Sequence, residues 1–240
     1  MKKALVTGGS GTLGAAICNA LAASGHHVYV HGHKNAALAD AVAAEIVARG
    51  GRAETLLFDV TDADAVSAAL LPIGADVPIQ IVVNNAGYHD DAPLAGMTRA
   101  QWHGVINVSL HGFFNVTQPV LMPMIRSRWG RIVNIASIAA MSGNRGQANY
   151  AAAKAGVIAA AKSLAIEVAR KGVTVNTVAP GLVDSPMARA VFDDAAVRAL
   201  VPMQRMGAPA EIAALVAFLT SDAAAYVTGA VIPIDGAMRG

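Results

Sequence analysis

The strongest constraint on the fold is an alternation of two sequence patterns along the whole chain. Short runs rich in β-branched residues are typical of buried strands, and Ala-rich stretches with apolar residues three and four apart are typical of helices. Seven strands are predicted at 4–6, 28–30, 55–58, 79–83, 131–135, 173–178 and 231–234. Six helices are predicted between them at 13–23, 36–48, 63–71, 99–125, 151–169 and 210–219. The alternation predicts an α/β fold, a doubly wound parallel sheet with helices on both faces.

One segment interrupts this alternation. The 240 residues contain no linker rich in Pro, Gly and Ser and no internal repeat, so a single domain over 1–240 is predicted. About thirty residues between strand 173–178 and helix 210–219 carry Pro180, Pro186 and Pro209. An insertion of this length is usually a binding loop, so we predict a substrate lid at about 181–208 with a helix at 188–200. The alternative is a surface excursion without function.

Charge and composition exclude several classes of protein. The formal net charge is +2, and the longest basic run is Lys2-Lys3, so no nucleic-acid partner is expected. No stretch approaches the ~18 consecutive apolar residues of a membrane span, and no signal peptide is evident, so no membrane partner is expected. A single cysteine, Cys18, cannot form an internal disulfide. We expect a cytoplasmic protein, and we assign it no metal site.

A glycine-rich loop follows the first strand. The sequence Thr7-Gly8-Gly9-Ser10-Gly11-Thr12-Leu13-Gly14 joins strand 4–6 to helix 13–23, and its glycines at 9, 11 and 14 match G-x-G-x-x-G. Glycines let backbone N–H groups approach a pyrophosphate, which the positive end of the helix stabilises. The loop therefore predicts a dinucleotide site; the alternative is an ordinary turn.

The end of the second strand bears on which dinucleotide is bound. NAD enzymes usually place an acid there to hold the ribose hydroxyls. In this chain the strand ends at His31-Gly32-His33-Lys34, and the next acid is Asp40. Lys34, with or without His33, would attract a 2′-phosphate, so NADP(H) is predicted; the alternative is that Lys34 is a solvated charge.

Two more strand ends fit the same site. Asp59-Val60 follows the third strand, where a carboxylate could accept from an adenine amino group. Asn84-Asn85-Ala86-Gly87 ends the fourth strand, near the point where the strand order should reverse, and its small and amide residues permit close approach of a planar ring. Asp and Asn also cap helices and turns, which is the alternative in both places.

A tyrosine and a lysine one helical turn apart form the candidate catalytic pair. Tyr150 and Lys154 are spaced i, i+4, and Ser137 follows the strand 131–135. A cation about 4 Å from a phenol contributes about 4 kcal/mol at an effective dielectric of ~20, so Lys154 is expected to lower the pKa of Tyr150 in a closed cleft. The alternative is that Tyr150 only packs and that Lys154 is solvated.

Taken in order, these motifs resemble those of the short-chain dehydrogenase/reductase family. The resemblance spans Thr7-Gly8 to Gly14, Asp59-Val60, Asn84 to Gly87, Asn107, Ser137, Tyr150 with Lys154, and Pro180-Gly181, and it extends to Asp235-Gly236. Within the family, the segments 129–135 and 149–156 are most similar to 3-oxoacyl-acyl-carrier-protein reductases. The resemblance implies a Rossmann fold, one dinucleotide-binding and catalytic domain, and a homotetramer paired through helices 99–125 and 151–169.

The resemblance also implies roles for individual residues. Tyr150 would protonate a ketone oxygen as NADPH delivers hydride, Ser137 would hold that oxygen, and Lys154 would bind the nicotinamide ribose. Asn107 would position a water that relays protons to Lys154. The implied cofactor contacts, taken with those above, are Gly8, Ser10, Gly11, Thr12, Leu13, Gly14, His33, Lys34, Asp59, Val60, Asn85, Ala86, Gly87, Tyr150, Lys154, Pro180, Gly181, Val183 and Ser185.

One departure from the family pattern concerns the first loop. Thr12 stands where the family usually has glycine, and Gly11 stands where NADP-dependent relatives often carry a basic residue. Fewer phosphate contacts are therefore expected from this loop.

The predicted function is NADPH-dependent reduction of a 3-oxoacyl thioester, on acyl carrier protein or coenzyme A, to the 3-hydroxyacyl thioester. The alternatives are a dehydrogenase of another ketone or secondary alcohol and a nucleotide-binding regulator without turnover. A carrier protein is acidic, so a basic rim near the site entrance is expected to dock it, formed by Arg126, Arg128, Arg131, Arg170 and Lys171. The alternative is that these cations only complement helix ends.

Overall fold

All seven predicted strands are present and form one sheet. The computed structural model describes residues 1–239. The strands run parallel in the order β3-β2-β1-β4-β5-β6-β7. Their bounds are β1 Lys3–Val6, β2 His27–Gly32, β3 Arg52–Leu57, β4 Ile79–Asn84, β5 Gly130–Ile135, β6 Val173–Pro180 and β7 Val231–Ile234. The doubly wound α/β sheet predicted from the alternation is confirmed.

Helices cover both faces of the sheet. Their bounds are α1 Thr12–Ala23, α2 Ala36–Ala48, α3 Ala63–Ile73, α4 Arg99–Ile106, α5 Gly112–Ser127, α6 Ala139–Ser142, α7 Ala148–Val168, α8 Pro186–Val191, α9 Asp194–Leu200 and α10 Pro209–Thr220. One buried cluster joins α1, α2 and α10 to the sheet, and a second joins α3, α5 and α7 to its other face. Both layers are mainly aliphatic, and the inner strands β1, β2, β4, β5 and β6 are largely buried on both sides because helices shield each face.

The direction of winding reverses between β1 and β4. From β1 the chain proceeds to β2 and β3 on one side, and from β4 it proceeds to β5, β6 and β7 on the other. The loops after β1 and β4 therefore diverge to opposite faces and leave a crevice at the carboxyl ends of the strands. In this fold the crevice is the expected place for a ligand.

The single α-helix predicted over 99–125 is interrupted in the structure. Residues Asn107–His111 form a π-helical turn between α4 and α5, in which the Gly112 N–H donates to the Asn107 carbonyl. A Cβ at Gly112 would lie 3.0 Å from Val60 Cγ2, so this glycine allows close packing of the helix on the loop after β3. π-Helical turns are frequent at functional sites, and this one begins at a predicted catalytic residue.

The expected lid contains two short helices rather than one. The predicted helix 188–200 is divided into α8 and α9, because Ser185 caps the first and Asp193 caps the second. The segment is closed at its base by a bridge between Val183 and Gly207. Within residues 1–239, no helix is long and apolar enough to cross a bilayer.

Candidate active site

The glycine-rich loop presents the start of α1 to the crevice. Gly11 is the N-cap and makes no side-chain hydrogen bond, so the first N–H groups of α1 are left for another acceptor. A Cβ at Gly14 would overlap the Gly8 carbonyl group, and it would lie 2.8 Å from Gly9 Cα. The loop can pack this tightly against the helix only with glycine at position 14. The arrangement fits an anion such as a pyrophosphate.

Gly8 contributes to the loop by its conformation. Its φ of 62° is in the left-handed region, and its N–H donates to His31 Nδ1 at 3.0 Å. The Gly8 N–H is therefore directed into the protein. Ser10, Thr12 and Leu13 lie in the same loop and first turn, as predicted.

Thr7 and Asn85 join the two loops of the crevice. The Thr7 hydroxyl accepts from the N–H groups of Asn85 and Ala86 at 2.9 and 3.0 Å. The Asn85 side-chain amide donates to the carbonyl oxygens of Thr7 and Gly8 at 2.9 and 3.1 Å. The Asn85 side chain, predicted to contact the cofactor, thus holds the glycine-rich loop in place. Thr7, which takes part in the same contacts, was not among the predicted site residues.

His31 is a second residue that the sequence analysis did not assign. It is 2% exposed, and its Nε2 lies 2.9 Å from the Phe58 carbonyl oxygen while Nδ1 accepts from Gly8. A carbonyl only accepts and a backbone N–H only donates, so these contacts select the neutral tautomer protonated at Nε2. His31 therefore ties the ends of β1, β2 and β3 together. The sequence feature that could have identified His31 is its position as a polar residue near the end of an otherwise apolar strand.

The burial of His31 predicts acid sensitivity of the fold. Desolvation lowers the pKa of His31 from 6.5 to about 4, so the unfolded chain binds more protons than the native protein between these values. The free energy of unfolding should fall by up to about 3 kcal/mol from this residue as pH drops from 6.5 to 4.

His31→Gln tests this contribution, because an amide can accept from Gly8 and donate to Phe58 without titrating. Urea unfolding at pH 7 and pH 4 should show a smaller acid loss in the variant than in the wild type. An equal loss in both proteins would contradict the assignment.

The end of β2 carries the residues predicted to select the dinucleotide. His33 Nε2 lies 3.3 Å from Asp59 Oδ2. Hydrogen bonds from the Thr61 backbone and side chain lower the pKa of Asp59, and the nearby charges of His33 and Lys34 lower it further. The structure thus brings His33, Lys34 and Asp59 together, as expected of an adenosine subsite. Val60 lies beside them and packs on Gly112.

Ser137, Tyr150 and Lys154 meet beyond the carboxyl end of β5. Ser137 follows this strand, and α7 begins at Ala148, earlier than predicted, so Tyr150 lies in its first turn. Lys154 is 4% exposed, and its ammonium group donates to the Ile135 carbonyl at 2.8 Å and lies 5.7 Å from the centre of the Tyr150 ring. The catalytic trio predicted from the sequence is therefore assembled in one place.

The expected lowering of the Tyr150 pKa is not found. Burial raises the pKa of Tyr150 above its usual 10, the Ser137 hydroxyl opposes this rise by hydrogen bonding, and the Asp91 charge adds to it. Burial also lowers the pKa of Lys154 to about 8. The prediction assumed a cation about 4 Å from the phenol, whereas desolvation of both groups dominates here.

A polar cavity adjoins Lys154. It is lined by Asn84, Ser109 and Lys154 among others. Within the described residues, Asn84 Oδ1 and Ser109 Oγ are buried without a hydrogen-bond partner. A Cβ on Gly87 would lie 3.1 Å from Lys154 Nζ and 3.3 Å from Ser109 Oγ, so Gly87 keeps this space open. Ser109 was missed from the sequence.

Asn107 is the first residue of the π-helical turn. Its backbone carbonyl is taken by Gly112 in the π-helical turn. Among the hydrogen bonds of residues 1–239, none joins Asn107 to Lys154. Its role in a water relay stays a prediction.

The residues after β6 form the opposite wall. Pro180 is buried at the end of β6, and the Gly181 N–H donates to the Ile234 carbonyl at 3.0 Å. Val183 forms the bridge to Gly207. The Ser185 hydroxyl oxygen accepts from the Ala188 N–H at 3.1 Å as the cap of α8, so its contact with a cofactor also stays a prediction.

The prediction of a basic rim near the site entrance is wrong. Arg128 and Arg131 lie at the amino end of β5, and Arg170 and Lys171 precede β6. Because the strands are parallel, this end of the sheet is opposite to Ser137. Arg131 is also only 3% exposed, held by Asp222 and the Trp129 ring.

Comparisons with known proteins agree with this geometry. A family model described as "Enoyl-(Acyl carrier protein) reductase" matches residues 9–239. The chain is 45% identical to Nodulation protein G of Azospirillum brasilense, over 99% of the chain and 98% of that protein. It is 43% identical to the 3-oxoacyl-(acyl-carrier-protein) reductase of Synechocystis sp., over 98% of the chain and 96% of the relative. It is also 43% identical to 3-oxoacyl-(acyl-carrier-protein) reductase FabG of Escherichia coli, over 99% and 97%.

Proposed function

Because this chain belongs to the short-chain dehydrogenase/reductase family and is an oxidoreductase acting on CH–OH or ketone groups, we propose that it reduces 3-oxoacyl thioesters to 3-hydroxyacyl thioesters with NADPH. The observation that carries the proposal is that Lys154, next to the Tyr150 ring, lines the same cavity as Thr7, the first residue of the glycine-rich loop. The names of the Synechocystis and E. coli relatives support this substrate class.

The residues of the crevice fit a nicotinamide dinucleotide. The uncapped start of α1 suits the pyrophosphate, and the open space kept by Gly87 lies next to the Lys154 ammonium group. Lys154 would hold the nicotinamide ribose, and Pro180 and Gly181 would lie along the nicotinamide. The bound cofactor supplies the hydride that reduces the carbonyl carbon.

Tyr150 acts as the proton donor. A raised pKa keeps its phenol protonated at neutral pH, which is the form that reduction requires. The Ser137 hydroxyl would hold the ketone oxygen beside the phenol. Negative charge that develops on this oxygen is neutralised by the Tyr150 proton.

Lys154 restores that proton. With a pKa of about 8, its ammonium group is mostly protonated at neutral pH but can release a proton at modest cost. The polar cavity beside it, lined by Asn84 and Ser109, is of a kind that suits a bound water. Resupply of protons through Lys154 is therefore part of the proposal, with Asn107 as the further contact expected from the family.

The choice of NADPH rests on the end of β2. Lys34 offers positive charge, and Asp59, the acid brought near it, is paired with His33. A 2′-phosphate would gain from the Lys34 cation, whereas the ribose hydroxyls of NADH would find no acid at the end of β2 itself.

Exposed apolar side chains support assembly into a homotetramer. Phe114 and Met122 on α5 and Ile166 on α7 are each more than half exposed. These are the two helices expected to pair between subunits, and burial of their exposed apolar side chains would stabilise that pairing. We propose a cytoplasmic homotetramer whose substrate is carried by acyl carrier protein or coenzyme A.

Rates on a panel of carbonyl compounds test the function. Acetoacetyl thioesters on coenzyme A and on acyl carrier protein should be reduced at least about tenfold more efficiently than sugars, steroids or simple ketones, and more efficiently with NADPH than with NADH. A preference for another ketone would favour a different dehydrogenase, and cofactor binding without turnover on any substrate would favour a regulator. A strong NADH preference would contradict the role of His33 and Lys34.

A further inference from the structure

The mechanism leaves one histidine beside Tyr150 without a role. His89 lies in the loop after β4, and its ring meets the Tyr150 ring edge-on with centres 6.3 Å apart. Its side chain is 44% exposed. No motif in the sequence analysis included it.

Asp91 holds the His89 ring, and Gln147 in turn holds Asp91. His89 Nδ1 lies 3.1 Å from Asp91 Oδ1, and the other carboxylate oxygen of Asp91 accepts from Gln147 Nε2 at 2.9 Å. Gln147 directly precedes α7, the helix that carries Tyr150. The loop after β4 is thus fastened to the helix of the proton donor through this imidazole and carboxylate.

The second ring nitrogen of His89 faces the lid. His89 Nε2 lies 3.2 Å from the Met187 sulfur in α8. A thioether is a weak acceptor and a carboxylate is an acceptor only, so both ring nitrogens face acceptors. Nε2 therefore has only the weak thioether opposite it, and a substrate oxygen would be a stronger acceptor for an Nε2–H donor.

We propose that His89 binds the thioester carbonyl of the substrate and so selects 3-oxoacyl thioesters over simple ketones. In such a substrate the thioester carbonyl is separated from the reacting ketone by one CH₂ group. A ketone oxygen at Tyr150 and Ser137 therefore brings the second carbonyl within reach of a side chain that contacts the Tyr150 ring. The inference rests on the proposed function and adds a residue that recognises the substrate.

The test compares two substrates that differ only in the second carbonyl. One is acetoacetyl-coenzyme A, and the other is the matching 3-oxobutyl thioether of coenzyme A, in which that carbonyl is a CH₂ group. His89→Leu should lower kcat/KM for the first about tenfold, the loss expected for one hydrogen bond, and change it less than about twofold for the second. His89→Gln, which keeps an N–H donor, should recover part of the loss.

Control variants and outcomes separate the possible failures. His103→Leu, at an exposed position on α4, should leave both rates unchanged. Equal losses on both substrates, or none on either, would overturn the role of His89 while the proposed function stands. A wild-type protein that reduces neither thioester nor thioether would overturn the proposed function and this inference together.

Discussion

Replacing Tyr150 by phenylalanine should lower kcat for ketone reduction by about 10³-fold, with NADPH binding unchanged. The substitution removes only the phenol hydroxyl, so the ketone loses its proton donor, and general acid catalysis accounts for about 10²- to 10⁴-fold of rate. The ring remains to pack against His89. Steady-state NADPH consumption measures the loss, and fluorescence titration of NADPH measures binding.

Tyr226→Phe is the matched control for this experiment. The side chain of Tyr226 is fully exposed and far along the chain from the site, so the same chemical change should leave kcat unaltered. Turnover of Tyr150→Phe close to the wild-type rate would show that another group delivers the proton.

Gly14→Ala should abolish tight binding of the cofactor. The added methyl group would overlap the Gly8 carbonyl, so the loop must move away from α1 or the variant must lose stability. Movement of the loop, or unfolding, would take the backbone N–H groups away from the pyrophosphate. We therefore expect the Kd for NADPH to rise at least about 100-fold. Circular dichroism with fluorescence titration distinguishes a folded protein that has lost binding from an unfolded one.

Gly11→Ala provides the comparison for this loop. A Cβ at Gly11 would lie 3.5 Å from the Gly8 carbonyl oxygen, an ordinary contact, and its φ of −81° is open to any residue. Gly11→Ala should therefore raise the Kd for NADPH far less than Gly14→Ala does. Similar losses in both variants would contradict the argument from close packing at Gly14.

Periodicity was sufficient to predict the sheet because each strand and helix carries its own local pattern. The exceptions arise where a neighbouring element decides the structure. The π-helical turn at Asn107–His111 accompanies the close approach of Gly112 to Val60, which is 52 positions earlier. The division of the lid helix follows from the cap at Asp193, a signal that was present in the sequence.

The catalytic trio could be predicted because its spacing is a property of one strand and one helix. Its electrostatics could not, because the pKa of Tyr150 depends on burial and on Asp91 from another loop. His31 and Thr7 were missed for a related reason, since their function is to bond to residues distant in sequence. The misplaced basic rim shows the same limit: Arg128 and Arg170 lie near each other, but at the far end of the strands.

The most direct test follows a hydride into the product. Acetoacetyl-coenzyme A is incubated with the enzyme and with NADPH that carries deuterium at the transferable C4 position, and the product is identified by mass spectrometry and NMR. We expect 3-hydroxybutyryl-coenzyme A with one deuterium, bound to C3. Failure of the wild-type enzyme to form this labelled alcohol would contradict the account.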